Sequence, residues 1–456
     1  MNAILQVLGA ADTVTGSRYL LTTGERRILI DCGLFQGYKV LRDRNWAPFP
    51  VAPSSIDAVV LTHAHLDHSG FLPALVRDGF AGRIHATAGT VDLAHLLLPD
   101  SGRLLEEEAA VHRRRGSTRH RDPRPLYTEA DAERALTFFS PHPFEEDVEL
   151  GDDCSVRFVP AGHIVGAAQL QLRVGSRRLH FTGDLGRSDD EIMRPPAPLE
   201  ATDLLVTEST YGDRKHPTAS PESELGEVVR RVCGGGGVVV IPAFAVGRAE
   251  ALILHLSRLR QSGEIPDVPI YLNSPMAVEA SRIYENHLDE LRISAAEVAA
   301  MNGMVHLVRT VDESIQLNAK RGPMVIISAS GMITGGRVLH HIAQFGPDAR
   351  NAIVLSGYQA GGTRGAALAA GERSLRIFGR DIRIEAEVVQ LESMSAHADA
   401  DGVLAWMRSA PEPPRLTLVT HGEAHAADTL RARIQRELGW PVRVPGPLDT
   451  IDLDAL

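Results

Sequence analysis

Several side chains able to bind a metal ion crowd into one short stretch of the chain, the run HAHLDH at residues 63–68. The preceding segment IDAVVLTH is apolar and short, which predicts a buried strand, so the run begins where that strand ends. Imidazole nitrogens and carboxylate oxygens both suit Zn²⁺. A single ion cannot readily take every ligand from so short a stretch, and the spacing therefore favours two ions that share the loop. The candidate ligands of the run are His63, His65, Asp67 and His68.

Further candidate ligands lie at the ends of other predicted strands. His163 follows SVRFVPAG, Asp184 follows RLHFTG, and Asp31 ends RILI. The carboxylate of Asp184 can bridge two cations, with one oxygen on each. Asp31 can orient a ligand histidine or contact a water on the metal, since partners behind the ligands fix their geometry. From spacing alone, Asp31 is equally well explained as a turn residue before Gly33.

The apolar pattern predicts an α/β (α+β) chain in two parts. The first half alternates short apolar runs such as YLLTT, LQLRV and DLLVT with turn residues, which indicates a β-sandwich faced by helices. The segment SGFLPALVRDGF predicts a helix with Ser69 as its N-cap. From about residue 209, helix-like segments alternate with strands such as VVVIPA and PMVIISAS, which predicts a parallel sheet flanked by helices.

Composition indicates the cellular compartment in which the protein is expected. Of its residues, 44% are apolar and 23% charged, a globular profile, and no apolar run is long enough to cross a bilayer. The start MNAILQVLGAADTVTGS lacks the features of a signal peptide, so we expect a cytoplasmic protein. The cysteines Cys32, Cys154 and Cys233 are far apart, which argues against disulfides and against a thiolate metal site.

The net charge of −11 argues against a protein that binds nucleic acid over its whole surface. Two features offset this. Bound metal ions add positive charge that the sequence does not count. Basic residues also cluster at 112–124, HRRRGSTRHRDPR, which is explained equally well as a solvated loop.

The metal-binding motif resembles that of the metallo-β-lactamase superfamily. The pattern of that superfamily is a strand-end Asp, then HxHxDH, then a strand-end His and a strand-end Asp. It is complete here as Asp31, residues 63–68, His163 and Asp184. The resemblance implies an αββα sandwich with two zinc ions.

The second half is similar to the β-CASP group, whose members process nucleic acids and carry a domain inserted into the lactamase fold. Its three marker positions are matched by Glu208 in VTESTYG, His397 in MSAHAD and His421 in VTHGE. A histidine at the third marker is typical of the RNA-processing branch, with likeness to bacterial homologues of the endonuclease subunit that cuts pre-messenger RNA before polyadenylation. The implied domains are 1–208 with 387–456 for the lactamase fold, and 209–386 for the β-CASP insertion.

The resemblance also assigns roles by position. The ligands of the first zinc ion are expected to be His63, His65, His163 and Asp184, and those of the second Asp67, His68, Asp184 and His421. His397 is the expected general acid and Glu208 its partner, with Asp31 and Asp67 completing the catalytic group. The expected substrate is single-stranded RNA, cut within the strand and with end-directed degradation left open. A homodimer is expected for this group.

Substrate contacts are expected in the second part of the chain. The segment GMITGGRVLHH predicts a Gly-rich loop entering a helix, which can present backbone N–H groups to a phosphate. Arg248 and Arg364 can pair with phosphates through their guanidinium groups. The alternative for each is structural, a glycine for a turn or an arginine in a surface ion pair. The candidate phosphate contacts are Arg248, Ser330, Thr334, Gly335, Gly336, Arg337 and Arg364.

Two rival functions share parts of this pattern. A small-molecule hydrolase of the superfamily would use the same zinc ligands but has no need of the insertion, Glu208 or His397. An inactive RNA-binding subunit would not need a complete set of ligands, and the set here is complete. Aromatic residues make up only 5% of the chain, so extensive base stacking is not expected and recognition should rest on backbone charge.

Overall fold

The computed structural model describes residues 3–115, 123–151, 153–244 and 246–456. The chain divides into two compact units. Unit 1 comprises Met1–Lys215 and His397–Leu456, and unit 2 comprises His216–Ala396. The basic cluster at 112–124 falls largely at 116–122, outside the described residues.

Unit 1 is built on two mixed sheets, which have seven strands each in the part of the chain that the structure describes. In spatial order, the first sheet consists of Thr450–Asp452, Ala3–Val7, Tyr19–Thr23, Arg26–Ile30, Ala58–Val60, Arg83–Thr87 and Phe139–His142. The second consists of Val442–Arg443, Leu416–Val419, Leu204–Thr207, Arg177–Phe181, Ala168–Val174, Cys154–Pro160 and Asp147–Gly151. The runs predicted as strands in the first half of the sequence all lie in these sheets.

The two sheets pack face to face because apolar residues alternate along their strands. Ile28 and Ile30 enter the core between the sheets, whereas Leu29 faces the opposite side, towards helices. In the second sheet, Leu204 points into the same central core and Leu205 packs beneath another layer of helices. Since strand side chains alternate between faces, this pattern produces four layers, helix–sheet–sheet–helix. The αββα sandwich expected from the resemblance is confirmed.

Helices of unit 1 cover the outer faces of both sheets. They are Leu66–Ser69, Leu72–Arg77, Ala88–Arg115, Glu129–Leu136, Ala400–Met407 and Ala424–Glu437. The short helix Lys39–Arg42 buries none of its residues, and 3₁₀ turns lie at Asp43–Trp46 and Pro53–Ser55. The predicted N-cap at Ser69 is wrong. Ser69 ends the helix Leu66–Ser69, and its hydroxyl donates to the carbonyl of Ala64 at 2.7 Å, which closes the loop of residues 63–68.

Unit 2 contains a fully parallel sheet flanked by helices, as predicted. In spatial order, its strands are His306–Leu307, Ile270–Asn273, Met324–Ser328, Val238–Pro242, Ala352–Leu355 and Glu387–Gln390, with a separate hairpin of Ser374–Ile377 and Arg380–Arg383. The helices are Pro221–Gly234, Arg248–Gln261, Pro275–Asn286, Ala295–Met304, Val311–Ala319, Val338–Phe345 and Arg364–Ala369, with 3₁₀ turns at Leu288–Glu290 and Glu392–Met394.

The central strand Val238–Pro242 is buried along its whole length, as expected for a parallel sheet covered on both faces. On one face, Val240 joins Ile326 and Ile342 in a continuous apolar core. The strand Glu387–Gln390, which the sequence pattern assigned to the first domain, pairs with Ala352–Leu355 at the edge of this sheet. A short apolar run fits either sheet, so its assignment depends on tertiary pairing. Within the described residues, no helix combines the length and apolar character that crossing a bilayer requires.

Unit 2 also buries an acidic side chain, that of Glu250 on the helix Arg248–Gln261. Its Oε1 lies 3.5 Å from the hydroxyl of Ser281, and its Oε2 has no hydrogen-bond partner among the described residues. Burial raises the pKa of Glu250 to about 8, and hydrogen bonds from nearby backbone N–H groups only partly oppose this effect.

Glu250 should make the stability of unit 2 fall as pH rises. Between its ordinary pKa of 4.5 and the raised value of about 8, the folded chain keeps a proton that the unfolded chain releases. The contribution of Glu250 is therefore full below the lower value and is lost at about 1.4 kcal/mol per pH unit as pH rises through the window. Urea denaturation followed by circular dichroism should show this slope, and Glu250→Gln should flatten it. The exposed Glu279→Gln serves as the control, and an unchanged slope in Glu250→Gln would refute the assignment.

Candidate metal centre

The ligand-type side chains of unit 1 come together where strands of its two sheets end. Three neighbouring strands of the second sheet, Arg177–Phe181, Leu204–Thr207 and Leu416–Val419, are parallel, so their carboxyl ends meet at one edge. The loop of residues 63–68 follows the strand Ala58–Val60 of the first sheet. The residues that follow such strand ends and converge here are Asp31, His63, His65, Asp67, His68, His163, Asp184, Glu208 and His421.

One cluster joins three imidazoles and a carboxylate. Nδ1 of His65 lies 3.1 Å from Nε2 of His63 and 3.2 Å from Nε2 of His163. Oδ2 of Asp184 lies 3.4 Å from Nε2 of His63 and 3.6 Å from Nε2 of His163. A tetrahedral zinc site with metal–ligand distances of about 2.0–2.1 Å has neighbouring ligand atoms about 3.3–3.4 Å apart. These side chains therefore fit one such ion.

A second cluster lies on the other side of the same carboxylate. Nε2 of His68 is 3.1 Å from Nε2 of His421 and 3.1 Å from Oδ1 of Asp184. Oδ2 of Asp67 is 3.6 Å from Nε2 of His421. The spacing of these atoms fits a second ion, so Asp184 offers one oxygen to each cluster.

The polar atoms of Asp184 support this interpretation. The residue is 2% exposed, and its Oδ1 makes no hydrogen bond among the described residues. A buried carboxylate oxygen without a donor is costly unless a positive charge compensates it. Burial raises the pKa of Asp184, but the surrounding imidazoles, His68 first, hold it well below its ordinary value. The carboxylate is therefore ionised and ready to bind cations.

The imidazoles of the first cluster are held in the neutral form that metal binding requires. Burial lowers the pKa of His63 and, with the help of neighbouring imidazoles, that of His163. Burial and the neighbouring His63 lower the pKa of His65 to about 3. His68 differs, since the carboxylates of Asp184 and Asp31 outweigh its burial and raise its pKa.

Asp31 lies behind the ligands and contacts one of them. Its Oδ2 is 2.7 Å from Nδ1 of His68, and its Oδ1 accepts a hydrogen bond from the backbone N–H of Thr62 at 2.8 Å. The contact with Nδ1 leaves Nε2 of His68 directed at Asp184, as carboxylate partners of ligand histidines commonly do. Asp31 and His421 both have positive φ angles, 55° and 49°. Such strain in non-glycine residues is typical of functional sites.

His397 lies at the edge of the cluster and is paired with Glu208. Nδ1 of His397 is 3.0 Å from Oε1 of Glu208, while Nε2 is 4.0 Å from Oδ2 of Asp184. The His397 side chain is 18% exposed, whereas that of Glu208 is 1% exposed and accepts the backbone N–H of Leu185 at 2.6 Å. Burial lowers the pKa of His397, but the carboxylates of Glu208 and Asp184 outweigh it and raise the pKa to about 9.

Two threonines complete the site and are absent from the sequence analysis. The hydroxyl of Thr62 lies 2.9 Å from Oδ2 of Asp31 and 3.1 Å from Nδ1 of His63. The hydroxyl of Thr210 lies 3.2 Å from Nδ1 of His421. Thr62 directly precedes residues 63–68 and Thr210 follows Glu208 by two positions, so closeness to a motif is the signal by which the sequence could have identified them.

The predicted phosphate contacts lie in unit 2, and its arginines already have partners there. Arg337 donates to Oδ1 of Asn273 at 2.8 Å and to the carbonyls of Val308 and Arg309 at 3.1 and 2.8 Å. Arg364 donates to the carbonyl of Arg376 at 2.9 Å and to other carbonyls nearby. These contacts hold loops in place, which is the structural alternative considered for each arginine.

The remaining predicted contacts lie on a loop of unit 2 and, for Arg248, at the start of the helix Arg248–Gln261. The hydroxyls of Ser330 and Thr334 are 2.9 Å apart, and Gly335 and Gly336 follow them before the helix Val338–Phe345. The guanidinium of Arg248 packs against Gly357, where a Cβ would lie 3.3 Å from its Nη2. The phosphate role of all these residues stays a prediction.

The sandwich with its buried cluster of histidines and aspartates defines the protein as a metal-dependent hydrolase of the metallo-β-lactamase type. Family models match along the chain. The Metallo-beta-lactamase superfamily matches residues 12–214, the Beta-Casp domain 249–368, and the Zn-dependent metallo-hydrolase RNA specificity domain 381–445.

Related proteins match over most of the chain. Ribonuclease TTHA0252 of Thermus thermophilus is 38% identical over 91% of this chain and 92% of its own length. An RNase J-like protein of Methanocaldococcus jannaschii is 29% identical over 97% and 98%. Transcription termination factor FttA of Pyrococcus abyssi is 31% identical over 98% of this chain and 70% of its own length. A crystal structure of a protein of unknown function from Enterococcus faecalis shares the fold, with a TM-score of 0.55 and 13% identity over 99% of this chain and 100% of that one.

This chain therefore belongs to the β-CASP family of the metallo-β-lactamase superfamily. The family expected from residues 63–68 and the three marker positions is confirmed.

Gly33 should be essential for the geometry of the loop at residues 63–68. A Cβ added to Gly33 would lie 1.5 Å from the carbonyl oxygen of Asp67, so even alanine must displace that loop. We expect Gly33→Ala to lose most of its bound metal, as measured by elemental analysis of the purified protein. Gly446→Ala is the control, because its Cβ would meet only Asp449 at 3.5 Å. Equal metal content in both variants would contradict the prediction.

Proposed function

We propose that this protein is a zinc-dependent ribonuclease that hydrolyses phosphodiester bonds of single-stranded RNA with two metal ions. The observation that carries the proposal is the pairing of a ligand cluster for two ions with the His397–Glu208 pair at its edge. The relatives named as ribonucleases, and the RNA specificity domain matched at 381–445, support RNA as the substrate class.

The residues assigned to the first ion are His63, His65, His163 and Asp184, and those assigned to the second are Asp67, His68, Asp184 and His421. Two bound cations would supply positive charge that lowers the pKa of a water between them and stabilises charge developing on the phosphoryl oxygens. Asp184 would hold the pair together, since its two oxygens face different clusters. Asp31 would keep Nε2 of His68 directed at the second ion.

His397 is assigned as the general acid that protonates the leaving oxygen. Its Nδ1 faces Glu208, so the tautomer is fixed and Nε2 remains on the side of Asp184. The proton that Nε2 carries can pass to an oxygen in that position, and Glu208 stabilises the charged ring. Cations beside Asp184 would lower the raised pKa of His397, because like charges disfavour the imidazolium. Hydrolysis with a 3′ oxygen as leaving group gives a product with a 5′ phosphate.

Other parts of the proposal rest on the family alone. We assign cleavage within the strand, with end-directed degradation as the alternative, and a homodimer in the cytoplasm. Recognition is expected to depend on backbone charge more than on base sequence. Mapping the products of RNA labelled at either end separates internal cleavage from end-directed degradation.

The metal stoichiometry tests the ligand assignment. Elemental analysis of the wild-type protein should find close to two zinc ions per chain, and His421→Ala should retain about one, because the first cluster does not use His421. His425→Ala is the matched control, since His425 is an exposed histidine on the helix Ala424–Glu437. A wild-type protein with one ion or none would contradict the two-ion site.

Removing the acid tests the chemistry separately from the metals. We expect His397→Ala to keep its zinc and to cleave single-stranded RNA about 10²–10⁴-fold more slowly, since this is the usual contribution of a general acid. Product formation from end-labelled RNA, with and without chelator, measures the change, and His425→Ala is again the control. Full activity in His397→Ala would remove the acid role.

The same assay separates the rival functions. A thioester, a β-lactam and single-stranded DNA are tested beside RNA. Turnover of the thioester or the lactam without cleavage of RNA would identify a small-molecule hydrolase. RNA binding without hydrolysis of any substrate would identify an inactive subunit.

A further inference from the structure

A short segment of unit 1 exposes aromatic and basic side chains together. It spans the helix Lys39–Arg42 and the 3₁₀ turn Asp43–Trp46, with Tyr38 before them. Tyr38 is 55% exposed and Trp46 is 61% exposed. The chain has three tryptophans, and the others, Trp406 and Trp440, are buried. We name the exposed residues Tyr38, Lys39, Arg42, Arg44 and Trp46 the Tyr38–Trp46 platform.

The positive charges of the platform are available to a partner. Lys39, Arg42 and Arg44 are exposed, and none of them forms an ion pair within the described parts of the chain. Arg44 is exposed, and its Cζ lies 5.4 Å from the centroid of the buried ring of Phe35. The segment also contains the exposed Asp43, so its three basic residues outnumber its acidic one, and it is locally basic in a chain with a net charge of −11. A locally basic surface suits a polyanion.

The platform is firmly anchored beneath its exposed face. Asn45 is buried, and its amide both accepts the N–H of Phe35 at 3.0 Å and donates to the carbonyl of Phe35 at 2.8 Å. Nε and Nη2 of Arg18 donate to the carbonyl of Gly33 at 2.9 and 2.6 Å. Hydrogen bonds from the side chains of Arg18 and Asn45 therefore hold the backbone next to the exposed rings in place.

The same anchor connects the platform to the metal-binding loop. The N–H of Leu34 donates to the carbonyl of Leu66 at 2.8 Å, and the N–H of Cys32 donates to that of His68 at 2.7 Å. Tyr38 follows Gly33 by five residues, which span at most about 17 Å. That distance corresponds to about five stacked nucleotides of a single strand. A strand that enters the metal centre can therefore also reach the platform.

We propose that the Tyr38–Trp46 platform binds an unpaired stretch of the RNA strand beside the bond that is cut. Tyr38 and Trp46 stack on bases, and Lys39, Arg42 and Arg44 pair with phosphates. Stacking on an aromatic ring is tolerant of sequence because every base has a flat face. This inference rests on the proposed ribonuclease function. It agrees with the expectation that extensive base stacking is absent, since two exposed rings provide only one contact point.

Trp46 provides a direct test of stacking. In the zinc-loaded His397→Ala background, a fluorescein-labelled single-stranded RNA should bind Trp46→Ala about tenfold more weakly, as measured by fluorescence anisotropy. Trp46→Phe should bind nearly as the parent does, whereas Trp46→Leu should be as weak as Trp46→Ala. Quenching of tryptophan emission by RNA should be lost in all three variants. Leu448→Ala removes another exposed apolar side chain elsewhere in unit 1 and should leave RNA binding unchanged.

The charges are tested by the dependence of binding on salt. Each phosphate contact on a single strand contributes about 0.7 to the slope of log affinity against log salt. Replacing Lys39, Arg42 and Arg44 together by glutamine should lower that slope by about 2. Arg443→Gln, at an exposed arginine of the same unit, is the control and should leave the slope nearly unchanged. An unaltered slope in the triple variant would overturn the phosphate contacts.

A small chromogenic diester distinguishes failure of this inference from failure of the proposed function. Bis(4-nitrophenyl) phosphate is too small to reach the platform, so Trp46→Ala should hydrolyse it at the wild-type rate while losing about tenfold in kcat/KM on RNA. A wild-type protein that does not cleave RNA refutes the ribonuclease. RNA cleavage with equal kcat/KM in the wild type and Trp46→Ala refutes the platform alone. A change in molar mass on light scattering in Trp46→Ala, with RNA binding intact, would identify a protein interface instead.

Discussion

The buried carboxylate of Asp184 is the interaction on which the site depends. Imidazole nitrogens lie 3.1–3.6 Å from its oxygens on both sides. A carboxylate so deeply buried is stable only beside positive charge, and the surrounding rings supply it when they are protonated. The first-cluster histidines are held neutral by burial, however, so protonated rings alone compensate the carboxylate incompletely. Bound cations would resolve this conflict, because metal binding requires neutral imidazoles and an ionised carboxylate at once.

The stability of the sandwich offsets the unfavourable free energy of burying such a cluster. Each ligand follows a strand whose side chains are locked in the central core, so the backbone at the strand ends can hold unfavourable conformations. Asp31 and His421 have positive φ angles there. A hydrogen bond from Thr62 to Asp31, and one between the Thr210 hydroxyl and Nδ1 of His421, hold their side chains in place. Gly33 lets the loop of residues 63–68 approach the strand end closely. The positions of the ligand side chains thus depend on the stability of the core between the sheets.

The fold and the ligand-type residues could be predicted from the sequence because both leave local patterns in it. Alternating apolar residues specify strands locally, and HxHxDH is dense enough to identify a metal site without other information. The features that the sequence did not predict depend mainly on contacts between segments that are distant in the chain. The contact between His397 and Glu208 spans 189 positions, and only the family resemblance suggested it. The roles of Thr62 and Thr210 depend on hydroxyl orientation, and the edge position of Glu387–Gln390 depends on sheet pairing.

The arginines proposed as phosphate contacts have different partners in the two units. In unit 2, Arg337 and Arg364 donate hydrogen bonds to backbone carbonyls. A phosphate would have to replace those hydrogen bonds. In the Tyr38–Trp46 platform, Arg42 and Arg44 are exposed without ion pairs among the described residues, so a phosphate displaces only water. A new hydrogen bond contributes less net free energy when its donor must first leave a protein acceptor. Phosphate binding would therefore cost less free energy at the platform than at these two arginines, although the net charge of the chain is −11.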